Sequence, residues 1–337
     1  MKTKIIISFL IFAGLFISCS KDNEPNPKDI DTTKEYIISL GFSGEITEEY
    51  TPLSNNKTSS FVGGNKVKSQ NNVSTVSGND LYGIQVYRGT TPFAYGLFDD
   101  VSNIKINLLS GNKYKFVVSV VKDGKNKICS DSKGLAYYKP FDTRGSNPIK
   151  LSNKFEYNNY YFFQSLDKGR SCFKGYSYYY YPLTDRYYGE LSDYEPTNDG
   201  SLSIELKHVV FGLKYTISGI TDGSVRFICK NKDVTFFDNS GIVSNFESEP
   251  QIRTFENVYD SWLYADNYTE NVTVQVIWTR DVGVVQDLGS KVVQVKRNAM
   301  NVIRVKLGAD DGSSTFGITT DSDVAMGSEE ITVPLQK

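Results

Sequence analysis

Short apolar runs alternate with clusters of glycine, asparagine and serine over most of the chain. Such runs, rich in Val, Ile, Tyr and Phe and bounded by turn residues, are typical of β-strands. In the first half this pattern predicts strands at Glu35–Phe42, Leu81–Arg88, Ile104–Leu109 and Tyr114–Val121. After the first 18 residues no segment keeps a helical period over about 11 residues. The pattern therefore predicts an all-β protein.

The second half continues the pattern, with strands predicted at Val272–Thr279, Lys291–Arg297, Asn301–Leu307 and Glu330–Leu335. Two short turns, at residues 109–113 and 298–301, are each predicted to close a hairpin between the strands on either side. Ser203–Ile220 is long for one strand, and its apolar positions change parity near residue 209. This change predicts a bulge or bend, or two strands that belong to different sheets.

The length and one polar segment predict two domains. Ser192–Ser201 is polar, contains one proline and one glycine, and has little to bury. We place the boundary there, giving domains 34–198 and 199–337. Ser54–Val76 is rich in Asn, Ser, Gly and Lys, and a loop of this length is usually functional or disordered.

The first 18 residues have the pattern of an export signal. Lys2 and Lys4 precede the 13-residue apolar run Ile5–Ile17, which is too short to span a bilayer. Ser18 and Cys19 end the run as a bacterial lipobox does. This likeness predicts that Cys19 becomes the first mature residue and carries acyl chains that hold the protein on a membrane. The alternative is ordinary signal-peptidase cleavage.

The residues after Cys19 resemble the lipoprotein export signal of Bacteroides-type bacteria, in which a short acidic cluster directs a protein to the outer face of the outer membrane. The residues that carry this likeness are Ser20, Lys21, Asp22, Asn23 and Glu24. The alternative is a solvated linker. Residues 19–33 are predicted to form a tether, stiffened by Pro25 and Pro27.

Charge and cysteine content exclude several classes of function. The precursor has net charge −2, and removal of the signal leaves 35 basic and 39 acidic residues with no basic block, so no nucleic-acid partner is expected. Cys129, Cys172 and Cys229 remain after Cys19 is lipidated. They are odd in number and far apart, so we expect buried thiols rather than a disulfide or a zinc site.

No catalytic pattern is present in the sequence. The single histidine, His208, lies inside a predicted strand without a nucleophile motif, and we expect it to be structural. Three adjacent carboxylate pairs, at residues 99–100, 310–311 and 329–330, are expected in turns or on the surface. We therefore expect no enzyme activity, no cofactor, and no catalytic or metal-binding residues.

Tyrosine is concentrated between residues 157 and 194, which hold 11 of the 23 tyrosines. Because tyrosine has an apolar body and a polar tip, the cluster is a candidate aromatic surface for glycans or a partner protein. The alternative is packing within strands and at the domain junction. The candidate residues are Tyr178, Tyr179, Tyr180, Tyr181 and Trp262.

Several segments resemble the fimbrillin-like proteins of Bacteroides-type bacteria, a family of fimbrial subunits and anchors. The likeness is carried by the lipoprotein start, by LYGIQVYR and KINLLSGNKYKF in the first half, by DRYYGEL with SLSIELKHVVFGLKYTISG, and by the closing VVQVKRNAMNVIRVKL. It implies two tandem transthyretin-like antiparallel β-sandwich domains without enzyme activity. It also implies assembly by strand donation, in which a strand of one subunit fills a groove in the next.

One departure from the family bears on maturation. Family stalk subunits are cut after a basic residue, usually arginine, in an N-terminal loop. The first arginine here, Arg88, lies inside a predicted strand, and the long loop offers only Lys57, Lys66 and Lys68. This favours a lysine-specific cut or an uncut subunit that keeps its lipid. The C-terminal strand Glu330–Leu335 is then the candidate donor or self-complementing strand.

Together these patterns predict a lipid-anchored cell-surface protein of the outer membrane, with a structural or adhesive role in fimbriae. Its partners would be other fimbrial subunits or ligands on host or bacterial surfaces. The alternative is a surface glycan-binding lipoprotein that partners an outer-membrane sugar importer.

Overall fold

The computed structural model describes most of the chain after the predicted tether. The described residues are 33–48, 78–142, 147–158, 170–174, 178–179, 181–220, 222–229, 232–237, 246–255, 266–306, 315–321 and 328–334. Their regular structure is nearly all β, as the sequence predicts.

Twelve of the 22 strands among the described residues precede residue 209. They are β1 (Glu35–Gly44), β2 (Leu81–Arg88), β3 (Thr91–Phe98), β4 (Lys105–Leu109), β5 (Tyr114–Val121), β6 (Ala136–Tyr137), β7 (Ile149–Lys150), β8 (Glu156–Tyr157), β9 (Ser171–Cys172), β10 (Tyr178–Tyr179), β11 (Arg186–Tyr194) and β12 (Gly200–His208). The helical turns are α1 (Glu45–Glu48), a 3₁₀ turn (Val101–Asn103) and α2 (Gly124–Lys127). No helix among the described residues is long and apolar enough to cross a bilayer.

Ten further strands follow residue 209. They are β13 (Val210–Ser218), β14 (Ser224–Cys229), β15 (Lys232–Phe237), β16 (Phe246–Glu247), β17 (Gln251–Thr254), β18 (Thr269–Thr279), β19 (Val285–Lys296), β20 (Met300–Lys306), β21 (Thr315–Asp321) and β22 (Ser328–Pro334).

The first half contains an eight-stranded sheet, in the order β4-β1-β12-β11-β5-β2-β3-β8, and two two-stranded sheets, β6-β7 and β9-β10. The strands β4-β1-β12 form one part of the eight-stranded sheet and β11-β5-β2-β3-β8 the other. Only two residue pairs, between β11 and β12, join the two parts. Side chains from both parts share one buried cluster, so the sheet folds over a common core. That cluster includes Ile38, Leu40, Ile106, Ile204 and Leu206 from one part and Tyr82, Ile84, Phe116, Val118 and Tyr187 from the other.

The N-terminal strand β1 lies inside this sheet. It pairs in parallel with β12 over seven residue pairs, from Ile38–Gly200 to Gly44–Leu206, and antiparallel with β4 on its other edge. Ile38 and Leu40 point into the core. β1 is therefore held by two strands that are distant from it in sequence, one of them more than 150 residues away.

Two sheets form the second half. One has the order β16-β13-β20-β21-β22, with β17 also paired to β13, and the other has the order β15-β14-β18-β19. Apolar residues of β13, β14, β18, β19 and β20 form a buried cluster that also includes Leu81, Val117 and Val121 from the first half. The buried cluster of the second half thus extends onto residues of the first half, whose own core is a separate cluster. The predicted C-terminal strand is present as β22, antiparallel to β21 within the same chain.

The long run Ser203–Ile220 forms two strands that belong to different sheets, which confirms one of the two predicted alternatives. β12 ends at His208 in the first sheet, and β13 begins at Val210 in the six-stranded sheet. Sheet membership therefore changes at Val209, about ten residues after the expected boundary. The division into domains 34–198 and 199–337 stays a prediction, as does their transthyretin-like topology.

Both predicted hairpins are wrong, because the two strands on either side of each turn pair with other strands and not with each other. β4 pairs with β1, whereas β5 pairs with β2 and β11. β19 pairs with β18, whereas β20 pairs with β13 and β21. At the first turn the Tyr114 hydroxyl bonds the backbone N–H of Leu109 at 3.0 Å. At the second, Asn298 is left-handed (φ 53°) and donates its backbone N–H to Val210 at 2.8 Å.

The expectation for the cysteines is wrong for two of them and right for the third. Cys129 and Cys172 form a disulfide, with their Cα atoms 5.3 Å apart. Backbone pairing brings them together, since the Cys129 N–H donates to the Cys172 carbonyl at 2.7 Å. Because the two cysteines are 43 residues apart in sequence, no local pattern predicted this pairing. Cys229, outside the disulfide, is buried in β14.

Candidate functional site

The structure describes some of the predicted site residues and not others. Those outside the described residues are Cys19, Ser20, Lys21, Asp22, Asn23, Glu24, Tyr180 and Trp262. Tyr178 and Tyr179 form β10, which pairs with β9 next to the disulfide. Tyr181 is the predicted aromatic residue whose side-chain contacts the structure gives.

Tyr181 is fixed in the core rather than displayed on the surface. Its residue is only 5 % exposed. Its ring meets Phe211 edge to face, with the centroids 5.6 Å apart, and its hydroxyl donates to Glu270 at 3.4 Å. The Tyr268 hydroxyl donates to the other oxygen of the same carboxylate. The packing alternative for the tyrosines therefore holds for this residue, although its outer edge borders a cleft.

That cleft has a volume of about 350 Å³ and lies over the outer face of β14, β18 and β19. Because side chains alternate along a strand, buried Val272, Val274 and Val276 leave the intervening residues of β18 on the outer face. The residues that line the cleft are Tyr181, Ile228, Asn271, Val272, Thr273, Gln275 and Ser290. None of these side chains is ionisable at neutral pH, since tyrosine titrates only near pH 10.

A second polar site joins the two halves and is centred on Glu45 and Arg297. Glu45 follows β1 directly, in α1. Its carboxylate accepts the His208 backbone N–H at 2.6 Å and Arg297 Nη1 at 2.5 Å. The Arg297 side chain is only 4 % exposed. This ion pair thus links the end of β1 to the turn between β19 and β20.

The ring of His208 lies in the same site. Nε2 is 2.5 Å from Asp185 Oδ1, Nδ1 is 2.9 Å from Asn298 Oδ1, and the ring stacks on Tyr187 at 4.4 Å. Both ring nitrogens are engaged, so neither is placed to take a proton from a serine hydroxyl. This geometry fits the structural role expected for His208.

The charged site ends at Asp266, which accepts from Lys207 and, at 3.4 Å, from Arg297 Nη2. The hydrogen bond and positive charge of Lys207 hold the pKa of Asp266 below its usual range. Apart from His208, sequence reasoning missed this site. Glu45 and Arg297 are 252 residues apart, and no local pattern connects them.

Within the part of the chain that the structure describes, no three His, Cys, Asp or Glu residues are grouped so that they could hold a metal ion. The charged site instead pairs each acid with a base or a backbone donor. Its arrangement suits a structural link between the two halves of the chain.

No protein family and no curated protein matches the chain in sequence. Solved structures do resemble it. A fimbrial assembly protein from Parabacteroides distasonis is 12 % identical, with 89 % of this chain and 99 % of that chain covered and a TM-score of 0.33. The fimbrial anchor protein Mfa2 from Porphyromonas gingivalis is 6 % identical, with 86 % and 98 % covered and a TM-score of 0.34.

A fimbrilin, FimA, from Porphyromonas gingivalis is 10 % identical, with 82 % of this chain and 90 % of that chain covered and a TM-score of 0.32. These solved structures are fimbrial proteins, the kind of protein that the sequence resembles.

Proposed function

We propose that this chain is a non-enzymatic, lipid-anchored component of cell-surface fimbriae. Cys19 carries the lipid, and Ser20 to Glu24 direct the protein to the outer face of the outer membrane. The two halves of the chain are tandem transthyretin-like domains, and other fimbrial subunits are its partners. The proposal rests first on the sequence resemblance over residues 35–307 and on the lipoprotein start.

The observation that carries the assembly role is the placement of β1. It lies between β4 and β12 and pairs along both edges with strands distant in sequence. If β1 were removed, a groove would open between β4 and β12, with unpaired backbone groups along both sides. A strand of another subunit would satisfy those groups. β1 is joined to the rest of the sheet through residues 49–77, which offer lysines for cleavage. A cut there would release β1 together with the lipid on Cys19, so the lipid anchors the subunit before β1 is replaced.

The C-terminal hairpin is the second element of the assembly proposal. β22 is the terminal strand of its sheet path and pairs with β21. A strand at the end of a sheet that is held by one hairpin partner exchanges at lower cost than a central strand. We assign β22 as the self-complementing strand of an isolated subunit and the candidate donor in a fimbria.

The disulfide supports export, independently of any resemblance. Disulfides form and persist in oxidising compartments and are rare in the cytosol. The Cys129–Cys172 bond closes a 43-residue separation and holds β9 against the segment after Ile128. A surface protein of this kind would be oxidised in the periplasm before it reaches the outer membrane.

Substitution of the predicted lipid attachment residue tests the anchor. We expect Cys19→Ala to move the protein from the membrane fraction to the soluble fraction, because the short apolar run cannot hold it. Ser20→Ala is the matched control and should remain with the membrane. Retention of the Cys19→Ala protein in the membrane fraction would contradict lipid anchoring.

A disulfide lock tests the assembly role of β1. Ser39 and Ser201 are direct partners in the parallel register of β1 and β12. Strands about 4.8 Å apart suit a disulfide, whose Cα atoms lie about 4.4–6.8 Å apart. We expect the double variant Ser39→Cys, Ser201→Cys to stay monomeric when oxidised, because β1 can no longer leave. Ser201→Cys alone should assemble normally, and equal assembly of the locked chain would overturn strand replacement at β1.

A further inference from the structure

The cleft beside Tyr181 combines neutral polar groups in a way that the fimbrial role does not use. Its lining contains the amides of Asn271 and Gln275, the hydroxyls of Thr273 and Ser290, and the aromatic edge of Tyr181. Asn271, Thr273 and Ser290 are exposed. Its volume of about 350 Å³ lies at the lower end of the range for small-molecule sites, about 300–1,000 Å³.

The polar groups are held in a fixed array. Asn271, Thr273 and Gln275 follow each other at every second position of β18, and Gln275 is the direct cross-strand partner of Ser290 in β19. The Gln275 amide nitrogen donates to Asp287 at 2.8 Å, so its orientation is set and its carbonyl oxygen can accept from a ligand. Hydrogen-bond donors and acceptors therefore recur along β18 about every 7 Å, which is the rise of two strand residues.

Tyr181 supplies a rigid wall for this array. Phe211 packs on its ring, and Glu270 binds its hydroxyl. The Glu270 carboxylate also accepts from Tyr268, so two phenol donors compensate its charge. A wall that is already ordered costs no further side-chain entropy when a ligand binds.

The position of the cleft decides between classes of ligand. It lies on the face of β18, which is flanked by β14 and β19, so no open backbone edge is offered to an extended peptide. The lining side chains are neutral, and the carboxylate that contacts them, Asp287, already accepts from Gln275, so a charged ligand group would gain no ionic partner within the lining. A neutral ligand with many hydroxyl groups matches the amides, hydroxyls and aliphatic side chains present.

We propose that this cleft binds one or two sugar units of a neutral saccharide. Asn271 and Gln275 are the principal hydrogen-bonding residues, Thr273 and Ser290 contact further hydroxyl groups, and Tyr181 and Ile228 form the apolar walls. This site goes beyond the fimbrial role and does not depend on it. A surface protein could carry it with or without polymerising.

The test is binding of the full mature protein to an array of neutral oligosaccharides built from glucose, mannose, galactose or N-acetylglucosamine, with sialylated and sulfated chains alongside. We expect neutral chains to bind and Asn271→Ala and Gln275→Ala each to weaken binding about tenfold, as loss of about 1.4 kcal/mol would. Titration calorimetry with the best neutral oligosaccharide gives the affinity.

Gln294→Ala is the matched control, because Gln294 is exposed on the same face of β19, faces Asn271 across the strand pair, and lies outside the cleft lining. Its affinity should equal that of the unaltered protein. Three results would overturn the proposal: no neutral oligosaccharide binds at millimolar concentration, only anionic chains bind, or the cleft variants bind as tightly as Gln294→Ala. None of these results would bear on fimbrial assembly, which the Ser39–Ser201 lock tests separately.

Discussion

The charged site around Glu45 and the neutral cleft beside Tyr181 are both polar, yet they are built in opposite ways. In the charged site Glu45, Arg297, His208 and Asp185 are partnered within the chain, and Arg297 is nearly fully buried. In the cleft the amides and hydroxyls lie on the outer face of a sheet, and several are exposed. The first arrangement suits a link within the uncleaved chain, and the second leaves groups for a ligand.

The difference shows why burial and charge must be considered together when a site is assigned. The residue types of the charged site, His, Asp, Glu and Arg, are also the types found in catalytic sites. Its short internal bonds instead commit the charged groups to each other, which is how buried charges are tolerated. No side chain that lines the cleft is ionisable at neutral pH, yet its amides and hydroxyls remain accessible to a ligand.

The largest expected effect concerns the Cys129–Cys172 disulfide, whose Cys172 pairs with Tyr178 of β10. The double variant Cys129→Ser, Cys172→Ser should lose about 4 kcal/mol of unfolding free energy, because the open chain regains the entropy of a loop of this length. Denaturant unfolding measures it. The unaltered protein under reducing conditions should unfold at the same denaturant concentration as the variant, and an unchanged midpoint would contradict this role.

The next largest effect concerns the charged site. Glu45→Ala removes the closest acceptor of Arg297 and the acceptor of the His208 backbone N–H, leaving the buried guanidinium with only the 3.4 Å contact to Asp266 as an ion pair. We expect a loss of about 3 kcal/mol in urea unfolding. Glu195→Ala, at an exposed residue, is the control and should change stability by less than about 0.5 kcal/mol. Equal effects from the two substitutions would show that Glu45 does not link the halves.

A smaller effect should depend on pH and concerns the tip of the β18–β19 hairpin. The hydrogen bond from Arg280 lowers the pKa of Asp222. A folded-state pKa below the unfolded value gives stability at neutral pH that is lost as the pH falls below about 4 through the folded value. Asp222→Asn should therefore lower the thermal midpoint at pH 7 and converge with the unaltered protein at pH 2. A difference that persists at pH 2 would contradict the ionic origin.

The smallest effect on stability is expected in the cleft itself. Asn271→Ala should change the unfolding free energy by less than about 0.5 kcal/mol, because the residue is exposed on the outer face of β18. Thermal unfolding of this variant and of Glu45→Ala compares the contributions of the two sites to stability. A loss from Asn271→Ala as large as that from Glu45→Ala would place Asn271 in the structural framework instead.

The sequence predicted the strands better than their partners. The alternating pattern located β2 and β5 to the residue, and the parity change near residue 209 predicted the passage from β12 to β13. The turns before β5 and β20 predict hairpins wrongly, because local turn chemistry permits a chain reversal without deciding which strand pairs with the next one. That choice depends on which buried face each strand completes.

Contacts between distant residues could not be predicted for the same reason. Cys129 and Cys172 have no recognisable spacing and meet only because β9 returns to the segment around Ile128. Of the Tyr178–Tyr181 cluster, Tyr181 borders the cleft, and the aromatic binding surface stays a prediction. The amides of β18 opposite Tyr181 were missed, because they occupy the polar positions of an ordinary alternating strand.

The central claim, that the chain is part of a fimbria, is tested most directly by electrophoresis of the native outer-membrane fraction without boiling, followed by detection of this chain with an antibody. Polymers held by a donated strand keep all its backbone hydrogen bonds and resist mild detergent until heated. The account predicts a ladder or high-mass smear that collapses to the monomer on boiling. A single band at the monomer position before boiling would contradict it.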